Sequence, residues 1–461
     1  MRMHIKWLLV FLMCLIFPTA DRGDLKSEDP SGMFYDITLQ LRPESHFLKA
    51  DVHLLLPVPE DDMQNVTFLL HRQLNVNQVK GKGLASFSFD KKTQSPVFFM
   101  PQAGTLTIDL DRPAAKGDLL DLTISYEGKI TEWNEWSANV IGEDWTELGL
   151  YFPWFPYNQN CGGFTFRVDV DVPDGYSICG NGTVRQVGQK QQIHHSSPVN
   201  DIIISAGPNI LTESVKTEGS FIHVYYSRIS RNTAVAIADD VNRILQLYGD
   251  WFGAKKQNVH IIESLREKGG GYSRKGTLVL GGLNDKTFSS KREAYLRYLA
   301  HETAHFWWNM ADSGSWDDWL NEGFAEYCAL LVVRDRFGED AFSGRIMNKK
   351  DHMKGIPPLW EFNRGDVSTE EKRQITEALL YSKAPVLLDA LKKKIGFDSF
   401  ISLCRAMIIR KIRTTGDMLD LLQETEGKTI RDWFELLLKM EEENPLSGGS
   451  HESTIHGSIE P

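Results

Sequence analysis

His301-Glu302-Thr303-Ala304-His305 lies inside the stretch Arg292 to Met310, and Trp319-Leu320-Asn321-Glu322-Gly323-Phe324-Ala325-Glu326-Tyr327 opens the stretch Asp317 to Phe337. Apolar side chains recur in both at three- and four-residue spacing, which predicts two helices, each with a buried face. Residues four apart share a helical face, so the imidazoles of His301 and His305 can aim at one ion. A zinc ion needs a third protein ligand and keeps a fourth position for water. Glu322, at the start of the following helix, is the natural candidate. Glu326, one turn further on the same face, is placed to accept a hydrogen bond from a ligand histidine. Glu302, between the histidines, is placed to take a proton from water.

Outward from this pair, helical spacing recurs in Ala234 to Phe252, Thr369 to Ile395 and Ser399 to Ile412. A short β segment, Val259 to Ile262 and Thr277 to Leu280, surrounds Gly269-Gly270-Gly271. Upstream the period changes to two: Asp36-Ile37-Thr38-Leu39-Gln40-Leu41 and Phe164-Thr165-Phe166-Arg167-Val168-Asp169-Val170 alternate polar and apolar. Turn clusters such as Pro173-Asp174-Gly175 and Gly180-Asn181-Gly182 separate such runs. The expected fold class is α+β, an antiparallel β saddle or sandwich followed by a mixed, mostly helical region. The division reads 1–20 export signal, 21–32 linker, 33–210 β domain, 211–441 helical domain and 442–461 polar tail. The aromatic run Tyr151 to Tyr157 either lines a cleft or plugs the core, and core packing is the preferred reading.

Arg2, His4 and Lys6 precede an apolar run from Trp7 to Phe17 and then Pro18-Thr19-Ala20, the layout of a secretory signal cut near Ala20. The run is about half the length a membrane-spanning helix needs. The chain is therefore expected to be exported, periplasmic or secreted, with no stable membrane insertion after cleavage. Loss of Arg2 and Lys6 takes the net charge from −11 to −13, which excludes nucleic acid as a main partner. Lys392-Lys393-Lys394 reads as a solvated helix face. A Cys161–Cys179 disulfide is as plausible as free thiols, whereas Cys328 and Cys404 read as buried thiols. Asn65-Val66-Thr67 and Asn181-Gly182-Thr183 fit the glycosylation pattern, relevant only in a eukaryotic source.

The segment from His301 to Tyr327 resembles the thermolysin-like zinc peptidases, or gluzincins, of the aminopeptidase N and leukotriene hydrolase family. The strands before Ile210 and the Thr414-Thr415-Gly416-Asp417 region extend the likeness over most of the chain. The resemblance implies a β saddle, a thermolysin-like catalytic domain, one zinc ion per chain and a peptide substrate; oligomeric state is left open. It also implies a role for Tyr381: Tyr381-Ser382-Lys383-Ala384 matches the family's Tyr-x-Lys-Gly/Ala, whose tyrosine hydrogen-bonds the oxyanion. Zinc and Tyr381 would share the developing charge, with Glu302 as general base.

Three departures bear on substrate. Sixteen residues separate His305 from Glu322 where the family has eighteen, a shortening that a turn at Asp312-Ser313-Gly314-Ser315 can absorb. In place of the family's Gly-x-Met-Glu-Asn stands Gly269-Gly270-Gly271-Tyr272-Ser273-Arg274-Lys275-Gly276. Gly270, Gly271, Tyr272, Ser273 and Arg274 are thus the candidate substrate-binding residues. The glutamate that anchors a substrate's amine is replaced by Ser273 or Arg274, which points away from ordinary aminopeptidase recognition, although Glu267 is an acid close by. The basic pair Arg274 and Lys275 reads either as solvated or as a lure for an acidic substrate group. The sequence also stops soon after Trp433-Phe434-Glu435-Leu436, without the family's C-terminal helical domain, so an open cleft is expected. The alternatives are another zinc hydrolase on this scaffold, such as an epoxide hydrolase, and a non-catalytic binding module.

Overall fold

The computed structural model describes residues 32–440 apart from 96, 98–99, 134–139, 160–161, 218–219, 257, 267–270, 354 and 363–369. The export signal, most of the linker and the polar tail lie outside the described residues, as do Cys161, Glu267 and Gly270.

The period-two runs form a seven-stranded sheet. Its order is Thr183–Val187, Lys190–Val199, Phe164–Asp171, Met33–Arg42, Phe47–Pro57, Leu119–Lys129 and Asn75–Gly81. The Met33–Arg42 and Phe164–Asp171 strands pair in parallel, with Tyr35 opposite Phe166 and Ile37 opposite Val168; the other pairings are antiparallel. Alternation sets the faces: Tyr35, Ile37, Leu39 and Leu41 are buried while the residues between them reach solvent. A three-stranded sheet of Met63–His71, Ala103–Ala114 and Leu84–Asp90 shares this core. The aromatic run plugs it. Trp154 and Phe155 are fully buried, Trp154 Nε1 donates to Ile202 O at 3.1 Å, and Tyr35 donates to Pro156 O at 2.6 Å.

The second region is built on a five-stranded sheet ordered Leu211–Lys216, Phe221–Tyr226, Val259–Glu263, Thr277–Leu280, Tyr272–Arg274. The three central strands are parallel. A helix, Arg231–Phe252, makes the crossover between the second and third, started by Ser230, whose side chain accepts from Thr233 N. The edge strand Tyr272–Arg274 runs antiparallel to its neighbour. Helices then follow to Lys439, and among the described residues none is long and apolar enough to cross a membrane. The fold class is the one expected, β-rich first and mostly helical after.

Several local expectations are corrected. The helix carrying His301 ends at Ala304 rather than at Met310, and beyond it Trp307 and Trp308 turn inward to pack with Phe252 and Phe324. The helices Glu339–Asp351, Thr415–Glu426 and Lys428–Lys439 were not expected; the first has only a weak apolar stripe, but Lys428–Lys439 has a strong one that buries Phe434, Leu437 and Leu438. Lys392 is buried, not solvated, with its ammonium 3.2 Å from Asp389 and 4.8 Å from the Phe342 ring centroid; Lys393 and Lys394 are exposed. Asn181 cannot accept a glycan. It is buried, its Nδ2 donates to Asp201 O at 2.7 Å, and its Oδ1 accepts from Ile203 N at 2.8 Å. Cys179, Cys328 and Cys404 are buried free thiols.

The two regions share a small third core. Trp145, Cys179 and Ile203 of the first pack on Ile262, Tyr272 and Val279 of the second. This contact fixes the edge strand beside the helices that carry the histidines.

Candidate metal centre

The helices Arg292–Ala304 and Trp319–Phe337 pack side by side. The shortened connection between them closes on side-chain hydrogen bonds. Asp312 Oδ1 accepts from Gly314 N at 2.8 Å, and Asn321 both accepts from Ala311 N at 3.1 Å and donates to Ala311 O at 3.0 Å. Gly323 lets the second helix come close to the start of the helix Ala384–Ile395: a Cβ there would lie 2.6 Å from Ala384 Cβ.

This packing brings His301, His305 and Glu322 together. His301 Nε2 and His305 Nε2 are 3.3 Å apart, and Glu322 Oε2 is 3.4 Å from the first and 3.6 Å from the second. Ligands about 2.0–2.1 Å from a tetrahedral zinc ion stand roughly 3.3 Å from one another, so the triangle is the right size. The imidazoles are also turned the right way. His305 Nδ1 is 2.9 Å from Trp308 O, and His301 Nδ1 is 3.2 Å from Glu326 Oε2, in contact although poorly aligned as a hydrogen bond. Protons held at both Nδ1 atoms leave both Nε2 lone pairs facing each other and the carboxylate. Lone pairs converging at that distance repel unless a cation sits between them, so the donor set fits zinc.

The surrounding charges are unequal. Burial would raise the Glu322 carboxyl, but His305 and His301 beside it hold it down at about 2. Burial would lower His301, but its contacts with Glu322 and Glu326 push it up to about 10 in the absence of an ion. Glu302 is buried and rises above the ordinary carboxylate value because of that burial, with the two histidines opposing. Burial opposes ionisation of Glu326 too, yet Arg297 and Lys349 keep it well below the usual range. Both cations reach the same Oε1 at 2.6 Å. Sequence reading missed them: Arg297 stands one turn before His301, a usable cue, but Lys349 has no local pattern.

Tyr381 lies against the cluster. Its hydroxyl donates to Glu322 Oε2 at 2.8 Å, and its ring centroid is 5.7 Å from that of His301. The expected oxyanion donor is therefore engaged with a ligand carboxylate in this state.

The glycine-rich strand differs from expectation. Arg274 is neither solvated nor free to lure a substrate. Its Nε is 3.1 Å from Asp201 Oδ2, its Nη1 donates to Ser273 O at 2.9 Å, and its guanidinium lies 4.9 and 5.1 Å from the ring centroids of Tyr272 and Tyr151. Asp201 is fully buried in the first region, so the half-buried Arg274 is used up in holding the two regions together. Lys275 is exposed and donates to Pro198 O at 3.1 Å. Tyr272 is buried against Tyr151, and Ser273 is half-buried. Gly271 has no room for a side chain: a Cβ would lie 2.1 Å from Tyr298 Oη and 2.2 Å from Val279 O.

Residues 274–436 match the model of the peptidase family M1 domain. The chain is 24% identical over 220 residues to a probable aminopeptidase 2 of Sulfurisphaera tokodaii, covering 42% of this chain and 28% of that protein. It is 31% identical over 124 residues to endoplasmic reticulum aminopeptidase 2 of Bos taurus, covering 25% and 13%. It is 19% identical over 310 residues to aminopeptidase N of Streptomyces lividans, covering 60% and 35%. The chain thus spans about a third or less of these curated relatives. A crystal structure of an M1 zinc metallopeptidase from Deinococcus radiodurans shares the fold, with a TM-score of 0.66 at 18% identity over 91% of this chain and 97% of that one. Over residues 274–436 this chain thus resembles the peptidase family M1 domain, and its fold is shared with an M1 zinc metallopeptidase.

Proposed function

We propose that the chain hydrolyses peptide bonds, with one zinc ion held by His301, His305 and Glu322. The convergence of their three ligand atoms within 3.3–3.6 Å carries this reading. Bound there, the ion would polarise the scissile carbonyl and acidify a water molecule. Glu302 acts as the base. It projects from the same helix turn as the two histidines, and burial keeps its carboxylate a better proton acceptor than an exposed one. The proton it gains passes to the leaving amine. Tyr381 turns its hydroxyl from Glu322 Oε2 toward the oxyanion as charge builds there. Glu326 fixes the tautomer and orientation of His301.

The edge strand sets the mode of cleavage. With Ser273 in place of an acid and Arg274 drawn to Asp201, the strand offers a substrate's free amine no carboxylate of its own. Cleavage is therefore independent of a free amine, and peptides blocked at the N-terminus are substrates. Export to the periplasm or medium is part of the proposal, on the strength of the Arg2 to Ala20 pattern.

Glu302→Gln tests the chemistry. It keeps the ligand triangle, so zinc content stays at the parental level while kcat falls by about 10²–10⁴. Undiminished hydrolysis by this variant would remove Glu302 as base. Amino-acid anilides set against N-blocked peptides test the mode, and brisk cleavage confined to free-amine substrates would overturn it.

A further inference from the structure

Lys349 is buried at a place where its charge is already supplied. Glu326 Oε1 receives Arg297 Nη1 at 2.6 Å, from one turn before His301 on the same helix. Lys349 reaches the same oxygen, also at 2.6 Å, from a different helix, Glu339–Asp351. Its side chain is only 12% exposed, so a strongly hydrated ammonium has been taken out of water. Its second contact accounts for that. Lys349 Nζ donates to the backbone oxygen of Tyr381 at 2.6 Å.

That oxygen cannot have the donor an α-helix would give it. Tyr381 sits in a single π turn, Leu379–Lys383, between the helices Glu370–Ala378 and Ala384–Ile395. An α-helix would satisfy Tyr381 O with the amide of residue 385, and residue 385 is proline, which has none. Wide turns of this kind are rare and are costly where a carbonyl is left unpaired. The lysine fills the gap and ties the turn to the carboxylate behind His301.

We propose that Lys349 is a positioning residue, a strut that fixes the Tyr381 turn at a set distance from the metal ligands. The proposal rests on Tyr381 being the oxyanion donor. Its hydroxyl must sit within hydrogen-bond reach of one developing charge, and small displacements there are expensive in rate. The strut holds the backbone of the tyrosine, not the substrate, so its loss appears in kcat rather than in KM.

A double-mutant cycle tests this. Lys349→Met should lower kcat about 10–100-fold with KM within about twofold. In a Tyr381→Phe background the same change should cost less than about threefold, because the hydroxyl it positions is gone. Zinc affinity, measured by competition with a chelator, should move by less than about threefold, since Arg297 remains on Glu326. Pro385→Ala, which returns an amide to the turn, should shrink the Lys349→Met loss. Should Lys349→Met fail to fold, Lys349→Gln, which keeps N–H donors without the charge, replaces it in the cycle. Equal fold losses in both backgrounds would overturn the strut, as would a zinc affinity that falls in step with kcat. A Tyr381→Phe enzyme as active as the parent would instead remove the oxyanion reading, and the strut with it.

Discussion

Asp201→Asn is the sharpest probe of how the glycine-rich strand is used. The substitution keeps the shape of the side chain and removes its charge. It leaves the Arg274 guanidinium with Ser273 O at 2.9 Å and the faces of Tyr151 and Tyr272, but no counter-ion. Breaking a buried ion pair from one side typically costs 3–5 kcal/mol. The Arg274 side chain keeps 22% of its surface in solvent while Asp201 keeps none, so the lower end applies, about 3 kcal/mol. Arg274→Met strands the better-buried partner and should cost more, about 4 kcal/mol, softened because burial already favours protonation of Asp201. The double variant Asp201→Asn/Arg274→Met should lose only about 2 kcal/mol, well short of the two single losses combined. Urea unfolding followed by tryptophan fluorescence reads all three, with zinc content as a check on the site. Single losses below about 1 kcal/mol, or losses that simply add, would show that the pair is not a buried clamp. A change in preference for acidic substrates in Arg274→Met would return that residue to substrate recognition.

The remaining predictions concern stability. His71 is buried with Nε2 3.0 Å from Glu132 O and Nδ1 accepting from Gln73 N at 3.2 Å, and burial lowers it from 6.5 to about 4. Between those values the unfolded chain takes up a proton that the folded one refuses. Stability from this group is complete above pH 6.5 and falls by about 3 kcal/mol as pH drops to 4, and His71→Gln should flatten that slope. Equal slopes in urea titrations of parent and variant would exclude it. Gly271→Ala meets Tyr298 Oη and Val279 O, and should destabilise by about 1–3 kcal/mol. Adding Tyr298→Phe should recover only part, because the clash with Val279 O remains; full recovery of the melting temperature would refute this account.

What could be read from the sequence depended on how local each interaction is. His301 and His305 face one way because helical spacing makes them, and Glu322 followed from zinc's need for one more ligand. Tyr381 is 59 residues from the carboxylate it touches and needed a family likeness to be noticed. Lys349 joins partners 23 and 32 residues away, on other helices, and no periodicity marks it. Arg274 was misread because a basic residue after three glycines looks like a solvated turn. Its counter-ion lies in the connection between two strands more than seventy residues upstream. The same reason hid Lys392, whose neighbours Lys393 and Lys394 are indeed exposed.

The small core shared by the two regions also limits how the chain can be taken apart. A division at residue 210 looks natural in the sequence, but Trp145, Cys179 and Ile203 lie on one side of it and Ile262, Tyr272 and Val279 on the other. Residues 211–441 expressed alone would display that apolar face next to the edge strand Tyr272–Arg274, a combination that invites association with a second chain. Arg274 would lose its counter-ion in the same cut. For anyone shuffling modules or trimming this chain to a minimal unit, the removable boundary does not run between the β region and the region bearing the histidine cluster.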